Sequence, residues 1–98
     1  MSTSSIHSLL MLVDVHIPQS QSLKQKRSVI KSLVDKLRAR FNASVAETGY
    51  LDEWQRSQLS IAMVSNDRRY LQKQLALVEQ HLLEVHDISV LRIEQHWI

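Results

Sequence analysis

Between residues 6 and 17, Leu9, Met11, Val13, Val15 and Ile17 alternate with Leu10, Leu12, Asp14 and His16, the two-residue period of a strand. One face is wholly apolar; the other begins apolar and turns polar toward its end. Pro18 has no N–H to offer a ladder and stops the strand. The period then changes. Leu23, Ile30, Leu33, Val34, Leu37 and Phe41 recur at helical spacing, so one side of a first helix is expected to pack on a sheet. Ser22 and Gln25 stand three apart, as in a capping box, and Asn42 is placed to end the helix in the left-handed conformation.

A short strand is predicted at 43–48. A turn follows at Thr48-Gly49-Tyr50-Leu51-Asp52, which holds the single glycine of the chain. Residues 54–65 read as a longer strand with Leu59, Ile61 and Met63 toward the core. Ser65, Asn66 and Asp67 are three candidate caps for a second helix, whose apolar line is Leu71, Leu75, Val78, Leu82 and Val85; residues 88–97 close the chain as a fourth strand. This order predicts an α+β, ferredoxin-like βαββαβ sandwich, a four-stranded antiparallel sheet with both helices on one face. Strands one and three are expected to be parallel neighbours at its centre. That expectation brings both helix N-termini to one edge, with Ser20, Ser22, Lys24, Lys26 and Arg27 beside Asn66, Arg68 and Arg69.

A chain of 98 residues, 44% of them hydrophobic, supports one core. The expected division is a flexible polar tail at 1–5 and a single domain at 6–98. Cysteine is absent, which excludes disulfides and thiolate metal sites. No apolar run approaches the roughly 20 residues of a membrane helix, and the start lacks the pattern of a signal peptide; the expected location is the cytoplasm, with no membrane partner. The net charge of +2 hides a strong asymmetry. Seven of the twelve basic residues fall between Lys24 and Arg40, with Asp35 alone against them. Such a segment suits a polyanionic partner, although a basic helix face is also an ordinary solvated surface. A helix start normally favours acids, because its free N–H groups carry partial positive charge. Here cations stand in their place.

Several separate strings resemble the YlxP-like family, small bacterial proteins classed as a domain of unknown function. These are His16-Ile17-Pro18, Ser22-Leu23-Lys24 with Lys26-Arg27, Arg40-Phe41-Asn42 with Ser44-Val45-Ala46-Glu47, Trp54-Gln55-Arg56 and Ser65-Asn66-Asp67. The resemblance spans about residues 9–93. It implies a ferredoxin-like fold and an association with genes of translation and ribosome maturation, hence an RNA-related role without an established activity. The chain departs from the pattern at Gln19, where members often carry Gly.

The residues themselves offer three functional readings. The first is a non-enzymatic binding module for RNA or ribosomal particles, using Ser20, Ser22, Lys24, Lys26, Arg27, Lys31, Arg38, Arg68 and Arg69 as anion contacts. Lys24, Arg27, Lys31 and Arg38 lie close to one helix face, and affinity would then weaken with salt. The central strands lack the stacking aromatics of an RNA-recognition sheet, so backbone and shape, not sequence, would be read. The second is protein interaction or homodimerisation through the open sheet face, where Asp14, His16, Arg56, Arg92 and Glu94 are expected beside Leu10, Leu12, Ala62 and Val64, with Trp54 as a possible anchor. The third is a small phosphoanion binder. No cofactor or metal is expected: His16 and His96 should be about 20 Å apart within one subunit, and His81 and His86 have spacing i, i+5 late in the second helix. No nucleophile–base pair or fixed carboxylate pair argues for catalysis.

Overall fold

The computed structural model describes residues 4–98; residues 1–3 of the expected tail lie outside the described residues. The elements are β1 (His7–His16), α1 (Leu23–Arg40), β2 (Ser44–Gly49), β3 (Arg56–Ser65), α2 (Arg68–Leu83) and β4 (Ser89–Trp97). They form one four-stranded sheet in the order β2-β3-β1-β4, every neighbouring pair antiparallel. This is the ferredoxin-like α+β arrangement that the order of elements predicts.

Period-two patterning survives intact in the central strands. Leu9, Met11, Val13 and Val15 of β1 and Ser57, Leu59, Ile61 and Met63 of β3 are buried, while their alternates are less so. Helix α1 adds Ile30, Leu33, Val34 and Leu37 to the same core, and α2 adds Leu71, Val78 and Leu82. In β4, Val90 and Ile93 both pack on the core although they stand three positions apart, an odd number. A register shift resolves this: Val15 faces Val90 and Asp14 faces Arg92, so Leu91 is an extra residue that changes the strand's phase.

One expectation about direction is overturned. β1 and β3 are antiparallel, pairing His7 with Ser65 and His16 with Arg56. The physical reason is the split βαβ unit: the α1 crossover leaves β1 and β2 parallel, the β2–β3 hairpin reverses the chain, and β3 inserts between them. The helices consequently start at opposite ends of the sheet. Ser20, Ser22, Lys24 and Arg27 do not meet Asn66, Arg68 and Arg69.

Local details differ too. Phe41, with extended backbone, ends α1, and its N–H bonds back to the Leu37 carbonyl; Asn42 is not left-handed. Tyr50, not Gly49, has positive φ, at 56°. Gly49 belongs to β2, where an added Cβ would stand 2.9 Å from the Gln58 Cβ, so close strand approach explains it. Of the three candidate caps, Asp67 takes the role, and His86 lies beyond α2 rather than within it.

Candidate nucleic-acid interface

At the start of α1, Ser22 Oγ accepts from the Gln25 N–H at 3.1 Å, and Gln25 Oε1 accepts from the Gln21 N–H at 2.7 Å. This reciprocal cap is a capping box shifted by one residue at its return bond. Ser22 is therefore occupied as a cap. Ser20 is buried, and its hydroxyl donates to the Ser22 carbonyl at 3.0 Å, so it offers nothing to an external anion.

Lys26 is the sharpest departure from the sequence reading. Its side chain is 0% exposed, and Nζ stands 3.1 Å from Glu47 Oε2. It also donates to the carbonyls of Tyr50 (2.8 Å), Arg56 (3.2 Å) and Leu51 (3.3 Å). Ser57 Oγ donates to the same Glu47 oxygen at 2.7 Å. The ammonium is thereby saturated. It is a latch that fastens the β2–β3 loop beneath α1, not an anion contact. Sequence carried the signal: Lys26, Ile30, Leu33 and Leu37 are spaced four, three and four apart, which puts Lys26 on the apolar face.

The latch has a companion. Gln55 Nε2 donates to the carbonyls of Ser20 (2.9 Å) and Pro18 (3.3 Å), and its own carbonyl accepts from the Ile17 N–H at 2.8 Å. Arg56 stacks on the Tyr50 ring at 4.2 Å and reaches Asp14 Oδ2 at 3.6 Å. The loop so held presents Trp54 at 56% exposure, which rules out a role for Trp54 as a cover for the core. Asp52 and Glu53 flank it in the shallow groove it shares with His16 and Arg56, and two acids make that groove a poor place for a phosphate.

The remaining cations of α1 sort onto two flanks. Lys24 and Arg27 are exposed and make no ion pair among the described residues. Lys31 pairs with Asp35 at 2.9 Å, both side chains more than half exposed, a bond weak enough to exchange. Arg38 Nη2 donates to the Val45 carbonyl at 2.6 Å, which fixes this flank beside β2. On the flank toward α2, Arg40 contacts His81 Nδ1 at 3.2 Å. Burial, reinforced by Arg40, holds the His81 pKa below its ordinary 6.5. On α2 the Asp67 carboxylate caps by accepting from the Arg69 and Tyr70 N–H groups, and Arg68 stacks on Trp97 at 4.1 Å. Arg69 and Lys73 are exposed, one turn apart.

Charge is thus segregated by layer. The helices carry ten of the twelve Lys and Arg residues and two of the ten acids, Asp35 and Glu79. Both helices lie on one side of the sheet, so their cations share that side, with acids at the ends of α2, where Asp67 and Glu84 are the caps.

The open side of the sheet is different. Leu10, Leu12, Asp14 and His16 alternate on β1 beside Ala62 and Arg56 on one neighbour and His96, Glu94 and Arg92 on the other. Arg92 Nη2 lies 2.6 Å from Glu94 Oε1, and His96 Nε2 lies 3.3 Å from Glu94 Oε2. His96 faces Leu10 while His16 faces Ser89, so the two histidines are about 20 Å apart along the strand. The placement of these residues agrees with the sequence-based expectation.

Residues 9–95 match the profile of a family described as Protein of unknown function (DUF503). The chain belongs to the DUF503 family. Over 57 residues, 58% of its length, this DUF503 chain is 44% identical to the Uncharacterized protein YlxP of Bacillus subtilis (strain 168). The match spans 62% of that protein. The match with DUF503 agrees with the resemblance carried by the sequence motifs. Among the described residues no helix is long and apolar enough to cross a membrane.

Proposed function

We propose that the chain is a non-enzymatic module that binds the phosphate backbone of RNA, free or within ribosomal particles, through its helical layer. The observation that carries this reading is the segregation of charge: with Lys26 buried, the helices still present nine exposed cations against two acids. The antiparallel topology sharpens it. A single pocket between two helix starts would suit one phosphate or sulfate. Cations distributed from Lys24 at one end of the layer to Arg69 and Lys73 at the other suit a polymer. From Lys24 to Arg38 alone the flank of α1 runs about 21 Å at 1.5 Å per residue.

Such a surface reads backbone and shape, because positioning contacts to phosphates carry no base information. The aromatics do not alter this: Arg68 stacks on Trp97, and Trp54 directly follows two acids, Asp52 and Glu53. Titration of unrelated single-stranded and duplex RNAs at two salt concentrations tests the proposal. The expected result is comparable affinity for different sequences, weakening with a log–log slope of roughly −0.7 per single-strand phosphate neutralised. Affinity indifferent to salt, or no binding at low salt, contradicts it.

A further inference from the structure

The open sheet face carries a second, independent inference. Its half nearest the start of β1 is apolar: Leu10 and Leu12 alternate on β1, with Ala62 directly beside Leu10 and Val64 further along β3. Val64 is 64% exposed and Ile98 82%. Leu10, Ala62, Val64 and Ile98 border a groove of about 490 Å³. Apolar side chains gathered on one face in this way call for a cover.

Charge selects the cover. On this face Asp14 is matched by Arg56 at 3.6 Å and Glu94 by Arg92 at 2.6 Å. The face is formally neutral, whereas the helical layer is strongly positive. Two copies brought together through their helices would repel; brought together through their sheets they meet no like-charge cost, and each acid finds bases on both chains. Area agrees. Four strands about 4.8 Å apart and about 30 Å long, with their side chains, present roughly 600 Å² per copy, near 1,200 Å² in total and at the lower bound of specific stable interfaces.

We propose that this face is the contact between two copies of the chain, packed sheet to sheet with Leu10, Leu12, Ala62 and Val64 at the centre. The contact is isologous, as closed dimers require, and it leaves both basic layers facing outward. It does not depend on what those layers bind.

Sedimentation velocity on the full chain tests it, after nuclease treatment and in 0.5 M salt so that RNA cannot bridge copies. Across about 1–100 µM the wild type is expected to shift from monomer to dimer mass. Val64→Asp, at an exposed position outside the core, should weaken the dimer at least tenfold, with a melting curve that matches the wild type's at 1 µM, where both are monomeric, and falls below it at 100 µM. Leu10→Asp should abolish it. A wild type that stays monomeric at 100 µM overturns the proposal, as does a dimer that Val64→Asp leaves untouched.

Discussion

The two sides of the sheet treat charge in opposite ways. The two helices carry nine exposed cations and two acids; on the open side each acid has a base within reach. Net charge, at +2, conceals this entirely. What matters for a partner is the field of a face, and a face is a product of topology. The fold puts both helices on one side, so a charge bias spread over two separate segments becomes one continuous surface.

Lys26 is the exception that defines the comparison, a cation of α1 that belongs to the interior. Lys26→Met should break the fold far more than the surface. Removing one partner of a buried, hydrogen-bonded pair costs about 3–5 kcal/mol, here because Glu47 is left without its counter-charge at the end of the core. Denaturant unfolding should report that loss, and the double variant Lys26→Met with Glu47→Leu should recover part of it. Reversing Lys24, Arg27 and Lys31 to Glu together should do the opposite. RNA affinity should fall by at least tenfold and the salt slope flatten, with the unfolding midpoint changed little, since these side chains are exposed.

Smaller effects refine the same division. Asp67→Ala removes the acceptor for two N–H groups at the start of α2 and should cost about 1 kcal/mol in thermal unfolding. Smallest is a pH effect on the helical side. Folded His81 has a lowered pKa because of burial and then Arg40, so below pH 6.5 the unfolded chain takes up a proton that the folded chain resists. Stability should therefore decline as pH falls from 6.5 toward the folded pKa and level off below it. His81→Gln should remove that portion of the decline, seen by comparing melting curves at pH 5 and pH 7.5.

Much of the fold was legible because burial follows period so closely in β1 and β3. The alternation of Leu9, Met11, Val13 and Val15 and the helical line through Ile30, Leu33 and Leu37 needed no structure to read. Turn chemistry was harder, since it depends on single backbone angles: the positive φ falls on Tyr50 and not on the glycine before it, and Phe41 ended α1 without help from Asn42. The antiparallel pairing of β1 and β3 was in fact available. A crossover followed by a hairpin reverses the chain once, and counting reversals gives the direction. The candidate site suffered most from that missed step. Ser20 and Lys26 illustrate a second difficulty, because a polar residue beside a helix start looks the same in sequence whether it faces solvent or closes a loop. For Lys26 the helical spacing to Ile30 resolves it; for Ser20, in a loop without period, nothing comparable does.

The account's central claim is that the helical face meets the polyanion and the open sheet face does not. Backbone amide chemical shifts followed during titration with a short single-stranded RNA test it directly. The changes should fall on α1 around Lys24, Arg27 and Lys31 and on α2 around Arg69 and Lys73, sparing Leu10, Leu12, Asp14, Arg92 and Glu94. Changes centred on those β1 and β4 residues, or none at all at low salt, would contradict it.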